Sequence, residues 1–498
     1  MLNFLNDEYI RSFKALYFIN NSSEPVSIDE IADQIGTVRK TVATILSIIK
    51  SDLVTLNFEL RETNEKKYYL ASKNETVIYL DDYLLICGKR SLLFSMVEKL
   101  FNKGSINTIQ FCNDHYISQT TFSRGKKKLT ELLEKSQLKL TNYVSDGIVG
   151  DEYQVRIFYF HFFNNFYYSS EWPFEDFQKM EVEYSVRMEK SNLFTNLASK
   201  QKRKLYYILS IMKKRINQGY GVDLVSLSFE NNIQYERIYD FIESYLNVHE
   251  IRDPQVIKNE TNFFICVLYT EDIVHLQTDY LEYLLDYSKD NPLNTEINTL
   301  WIQTFKKVIK YKLTLEEELD WHQELTKFHL ATEFLYSDSS LFSNNLSNQS
   351  EDKFNHEIYQ YTFKFYQALL KNETFHDFKE KRLKNVTDKF MVDHYYYYMY
   401  YSFLKLKQMK PVHLYIADSI GRIDKTILTK KLNLLFGENI KIVENNIQDE
   451  TLILTSFDHI YPDSEEIIIF SYQDEQNFKK VIHRIHEKIY EQLINYTS

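Results

Sequence analysis

Proline and glycine are scarce, six and ten in 498 residues. Both punctuate turns. Their shortage excludes a turn-rich all-β chain and predicts long helices. Cysteine is scarcer still. Cys87, Cys112 and Cys266 show neither metal-ligand nor redox spacing, so they read as reduced thiols of a cytoplasmic protein. Apolar runs are short. No stretch of 18 residues is continuous enough to span a bilayer, and Met1 to Asn6 lacks the basic flank of a secretion signal. There is no glycine-rich phosphate loop and no metal-ligand cluster. No membrane, cofactor, metal or catalytic residue is therefore expected.

Aromatic residues are abundant: 39 Tyr and 35 Phe within a 44% hydrophobic chain. Helices with aromatic-heavy packing follow. At roughly 100–200 residues per domain, the length predicts three to five domains. The net charge of −11 is unevenly spread. Residues 1–150 hold 19 Lys and Arg against 18 Asp and Glu, near +1, which leaves −12 for the rest. The positive charge of that first part clusters at Arg124–Lys128. This balance fits a DNA-binding front end on an acidic regulatory body.

The stretch Ile117–Leu133 reads I-S-Q-T-T-F-S-R-G-K-K-K-L-T-E-L-L. Ser118 is a good N-cap. Phe122, Leu129, Leu132 and Leu133 fall at helical spacing and can seat the helix on a core. Gln119, Thr120, Thr121, Ser123 and Arg124 are the types that reach base edges and phosphates. Lys126, Lys127 and Lys128 add charge that neutralises phosphates. A short helix over Thr108–Asn113 and a turn at Asp114–Tyr116 complete a helix-turn-helix. The competing reading is a solvated basic helix in an ordinary bundle. Gly125 counts against a helix here, since glycine inside a helix costs about 1 kcal/mol relative to Ala.

The same grammar occurs earlier. An amphipathic helix over residues 8–20 precedes Ser27-Ile28-Asp29-Glu30, a capping box opening a helix to Ile35. Gly36 turns the chain and Thr37 is the expected cap of a third helix, whose exposed start carries Arg39, Lys40 and Thr41. Strands at Leu53–Leu60 and Tyr68–Ala71 flank a polar turn bearing Lys66 and Lys67. Helix-turn-helix plus hairpin is a winged helix, and the lysines suit a phosphate contact from the wing. After Ser91–Phe101 and the stretch above, Leu138–Tyr143 and Ile148–Val149 read as a second wing. Two consecutive winged units carry more weight than one motif.

A long aromatic helix follows from Gly150, broken at Trp172-Pro173. Residues 175–405 are amphipathic helix with breaks near Asn217–Val222, Arg252–Pro254, Asp290–Leu293 and Ser337–Ser350. From Pro411, strand candidates (His413–Ala417, Ile440–Val443, Thr451–Thr455, Glu466–Phe470) alternate with helices (Asp424–Phe436, Phe478–Ile494). This predicts a small α/β domain with a parallel sheet.

The motifs H-Y-I-S-Q-T-T-F-S-R-G-K-K-K-L at 115–129 and G-I-V-G-D-E-Y-Q-V-R at 147–156 resemble the "fiSrstlyRklkkL … i.G.E..iR" pattern of the Mga/AtxA-like virulence regulators of Gram-positive bacteria. The resemblance covers essentially the full length and is strongest over residues 20–160. It implies a mainly α multidomain chain. The parts are winged helix-turn-helix domains at 1–75 and 76–170, all-α PTS-regulation domains (PRDs) at 171–288 and 289–408, and a C-terminal α/β enzyme IIB-like domain at 409–498. The implied function is a transcriptional regulator, a homodimer on double-stranded promoter DNA, tied to carbohydrate supply through the phosphocarrier protein HPr or another phosphotransferase (PTS) component. The second helix-turn-helix is the implied main reader, and His275, His322 and His329 are the phosphorylation candidates. The chain departs from the pattern twice. Residues 212–221 hold Gln218 and Tyr220 where the first PRD's usual histidine is expected, and Ala417-Asp418-Ser419 lacks the phosphorylated cysteine of transport enzymes. Without that thiolate no phosphate relay is expected. The alternatives are a PRD-type RNA-binding antiterminator, which would begin with a small β-rich domain, and a PTS phosphotransfer enzyme.

Overall fold

The computed structural model describes residues 1–22, 24–72, 80–141, 147–167, 171–174, 194, 197–223, 227–231, 235–247, 251–273, 289–309, 313–336, 341, 353–383, 386–406, 411–416, 422–443, 452–455, 467–469 and 475–495. His275, the turn Ser145-Asp146, the segment 417–421 and nearly all of 337–352 lie outside them. The chain divides into two compact units. One comprises Met1–Gln303, Leu313–Ser347 and Thr374–Val386; the other comprises Thr304–Lys312, Asn348–Glu373 and Thr387–Ser498.

The first unit opens with α1 (Asp7–Asn21), β1 (Val26–Ser27), α2 (Ile28–Ile35), α3 (Arg39–Leu53), β2 (Phe58–Glu62) and β3 (Lys67–Ser72). The strands form an antiparallel sheet in the order β1-β3-β2, with Leu60 opposite Leu70. β2 starts later than the strand expected from Leu53. Leu53 lies at helical spacing from Ile49 and is fully buried with it, so α3 runs on through Leu53. A 3-10 turn over Val54–Leu56 and a left-handed Asn57 (φ 61) then redirect the chain.

The second round comprises α4 (Leu80–Lys89), α5 (Leu92–Lys103), α6 (Thr108–Asp114), α7 (Gln119–Glu134), β4 (Lys139–Leu140), β5 (Ile148–Val149) and α8 (Glu152–Phe166). Its hairpin is short: Lys139 faces Val149 and Leu140 faces Ile148. The Thr141 amide donates to the Gly147 carbonyl at 2.9 Å just beyond.

Helices Ser199–Asn217, Tyr235–Asn247, Pro254–Thr270 and Leu315–Phe334 belong to the same unit. Their predicted breaks have local causes. Asp253 caps the Gln255 amide with Pro254 in the first turn, where a missing N–H is harmless. One hydrophobic cluster runs from Met1 through α1, α5, α7 and α8 to Leu341. At its centre Phe4 meets Phe162 and Phe166 edge-on, and Phe94 meets Phe166 the same way.

In the second unit, helices Lys353–Leu370 and Asp388–Leu406 pack together, and Tyr366 donates to Asp388 at 2.8 Å. Beyond them lie β6 (Val412–Ile416), β7 (Ile440–Val443), β8 (Leu452–Thr455) and β9 (Ile467–Ile469), with helices Arg422–Phe436 and Glu475–Asn495. All strand pairs are parallel, in the order β7-β6-β8-β9. Val412, Leu414 and Ile416 alternate into a core with Leu428, Leu432, Val481 and Ile485. Among the described residues, no helix of either unit is long and apolar enough to cross a membrane.

Candidate nucleic-acid interface

The two helix-turn-helix units repeat at an offset of 80 residues. Val42 and Phe122, Ile49 and Leu129, and Leu53 and Leu133 are equivalent and buried. Both turns close alike. The Thr37 amide donates to Ala32 at 2.9 Å, and the Ile117 amide donates to Cys112 at 3.0 Å. Both turns need a left-handed residue, Gly36 (φ 64) in the first and Tyr116 (φ 53) in the second.

Capping separates α3 from α7. Ser27 and Glu30 form the predicted capping box on α2. Asn107 accepts from the Gln110 amide at the start of α6, and Ser118 accepts from the Thr121 amide at 3.0 Å at the start of α7. The expected Thr37 cap is not made. Thr37 is spent on closing the preceding turn, so Val38 holds the N-cap position of α3 without a side-chain bond.

α7 presents two faces. Phe122, Gly125, Leu129, Leu132 and Leu133 are buried. Ser118, Gln119, Thr120, Thr121, Ser123, Arg124, Lys127 and Lys128 are exposed, and Lys126 is half-buried. Gly125 is explained by closeness rather than by weakness of the helix. A Cβ there would lie 2.7 Å from Leu92 Cδ2 and 3.5 Å from Met96 Sδ, both on α5. The glycine that counted against a helix lets the helix sit down on its support.

Among the described residues no carboxylate lies within salt-bridge distance of Arg124, Lys127 or Lys128. The first unit is more occupied. Arg39 Nε meets Asp29 at 3.1 Å, and Lys67 lies 3.8 Å from Glu65. Lys40 and Lys66 are exposed and Thr41 is half-buried. Lys66 is at the hairpin tip with φ 59.

A buried charge cluster went unforeseen. Arg156 on α8 donates from Nη1 and Nη2 to Glu260 at 2.5 and 2.9 Å, from Nε to Glu152 at 3.0 Å and from Nη2 to the Tyr220 carbonyl at 3.1 Å. Arg215 donates to Glu152 at 2.9 and 2.7 Å. Two arginines and two glutamates thus neutralise one another between α8 and helices Ser199–Asn217 and Pro254–Thr270. Glu152 and Arg156 are motif residues at i, i+4, a spacing that signals a pair; Glu260 sits in an apolar helix with no local sign of its partner. Gln218 and Tyr220 are also structural. The Gln218 amide donates to the Phe101 carbonyl at 2.9 Å, and the Arg215 guanidinium stands 3.9 Å over the Tyr220 ring.

Of the histidine candidates, His322 is half-buried on helix Leu315–Phe334. His329 has no exposed surface. Its Nδ1 lies 2.6 Å from Asn298 Oδ1, while Asn298 Nδ2 donates to Thr326, so Nδ1 carries the proton. Burial drives its pKa down to about 3. His329 is thus a core side chain in this fold. All three cysteines are buried free thiols, and burial pushes Cys87 up to about 12.

Residues 74–163 match the Mga helix-turn-helix domain, spanning α4 to α8. The chain is similar to a putative trans-acting regulator of Streptococcus pneumoniae, 23% identical over 63% of this chain and 62% of that protein. It is also similar to the capsule synthesis positive regulators AcpB and AcpA of Bacillus anthracis. These are 25% and 24% identical over 43% and 42% of this chain, and each match covers 44% of the relative. The matches therefore span less than two thirds of these relatives' own length.

Proposed function

We propose that this chain, which carries an Mga helix-turn-helix domain and is related to the Mga/AtxA-like regulators, is a transcriptional regulator that binds duplex DNA. α7 is the principal reader. One observation carries this: Arg124, Lys127 and Lys128 are exposed beside Gln119, Thr120, Thr121 and Ser123, with no carboxylate at salt-bridge distance among the described residues. Cations left unpaired on a polar helix face are free to replace the counterions of a phosphate backbone. Ser118 and Lys126 flank that face. Arg39, Lys40 and Thr41 on α3, with Lys66 and Lys67 on the first hairpin, serve as auxiliary phosphate contacts.

The helical body responds to carbohydrate supply as a pair of PRDs, and the α/β domain is an enzyme IIB-like module that supports a homodimer. With His329 buried and Gln218 and Tyr220 engaged in packing, control by HPr or another PTS phosphocarrier falls to His275 or His322. A phosphoryl group adds about −1.5 to −2 of charge, enough to re-pair a helix surface.

Duplexes selected by the protein from fragmented genomic DNA provide the test. Arg124→Ala should weaken binding in a gel-shift titration at fixed salt by at least about tenfold, the scale of one bidentate base contact. Unchanged binding would sink the reading. Preferential binding of an RNA hairpin over duplex would replace it with the antiterminator function. Incubation with PTS proteins and labelled phosphoenolpyruvate tests the control: label should appear on the chain and be lost in His275→Ala or His322→Ala.

A further inference from the structure

The two reading heads differ at one backbone position. Where the first has Gly36 at φ 64, the second has Tyr116 at φ 53. Glycine adopts this conformation without steric cost, whereas a tyrosine is strained there. The strain is not recovered by packing, because Tyr116 is 97% exposed. A strained, large and solvent-facing ring has no explanation within the free fold, and outliers of this kind concentrate at functional positions. Its location is informative. Tyr116 stands two residues before the Ser118 cap, in the turn leading into the polar face of α7. When the start of that helix enters a groove, the turn before it lies beside the sugar–phosphate backbone. Duplex bases are stacked and closed to a ring face, so the phenol's contribution is its hydroxyl, a neutral donor suited to a phosphate oxygen.

We infer that Tyr116 is a DNA-backbone contact of the second reading head, its hydroxyl donating to a phosphate and fixing the register of α7. The inference rests on the DNA-binding reading above. The conformational cost at this turn is retained for the position of the ring, and the first head, with Gly36, makes no such contact.

Tyr116→Phe keeps the ring and the backbone preference and removes only the donor. In full-length protein it should lose about fivefold in duplex affinity, the range of one neutral hydrogen bond. The slope of log affinity against log salt should stay constant, because a neutral donor releases no counterion. Lys127→Ala should lower that slope. Tyr116→Gly should lose about tenfold in affinity while melting no lower than the parent. Tyr116→Phe binding like the parent while Arg124→Ala binds poorly overturns the inference and leaves the DNA reading intact. A drop in melting temperature for Tyr116→Gly, in step with lost affinity, makes the ring a structural element and also overturns it. If Arg124→Ala and Tyr116→Phe both bind like the parent, the underlying reading fails and takes the inference with it.

Discussion

His329 shows how one side chain sets a condition on the whole first unit. Its folded pKa lies near 3, below the 6.5 of an unfolded histidine. Between those values the unfolded chain takes up a proton that the folded chain refuses. Stability from this site is therefore complete above about pH 6.5 and falls as pH drops toward 3, by up to roughly 1.4 kcal/mol per unit. Urea unfolding at pH 7 and pH 5 should show a steeper loss for the parent than for His329→Gln, whose side chain does not titrate. Equal losses would place the imidazole in contact with solvent. At this scale legibility in the sequence was uneven. Ser118 and Ser27 announce caps, because a cap is a local event between a hydroxyl and an amide three residues on. His329 was a candidate only through the family resemblance, because its burial is decided by Asn298 and its surroundings, 31 residues away. Gly125 misled for the same reason, since α5 gives it its purpose.

Among the elements, α8 packs against α4, β5 and helix Ser199–Asn217, and so links the second helix-turn-helix to the helices after it. Its aromatic residues are buried on several sides, so it carries no polar face that would fix its orientation in sequence. Its existence was legible but its neighbours were not. The buried cluster supplies the orientation. Arg156 and Glu260 both have 0% side-chain exposure, and their attraction offsets a desolvation cost that neither could bear alone. Arg156→Met should therefore cost about 3–5 kcal/mol, the range for stranding one buried partner. Adding Glu260→Leu should recover part of that loss: it removes the stranded carboxylate but leaves the Val222 amide, which donates to Glu260 at 3.1 Å, without its acceptor. Urea midpoints of the single and double variants read this directly. A double variant as weak as the single would mean that the cluster contributes through shape instead of charge. The same contrast explains the strands. β6 was legible to within a residue, since alternating burial repeats every two positions. The start of β2 was not, because Leu53 serves the α3 core in the same apolar run.

At the scale of the molecule, the sequence pattern divides at residue 170 between a reading part and a helical body, whereas the core does not. Buried residues continue from Met1 through α8 to Leu341 as one cluster, and Glu152 and Arg156 find their partners beyond residue 200. The charge asymmetry is still real: the reading part is near neutral and the remainder is acidic. Under the proposed DNA-binding function, an acidic body repels the phosphate backbone and favours the basic face of α7 for a duplex. These two facts make opposite demands on a fragment. Residues 1–170 alone would escape the repulsion but would expose the α8 aromatics and leave Arg156 without Glu260. The second effect should win, because solvent screens the repulsion over about 10 Å at 0.1 M salt while the buried pair is hardly screened. Expressed alone, that fragment should elute from size exclusion as aggregate and melt well below the full chain. Should it instead run as a folded monomer that binds duplex DNA more tightly than the full chain, α8 would be a severable joint, and the reading part would be an independent domain held back by the body's charge.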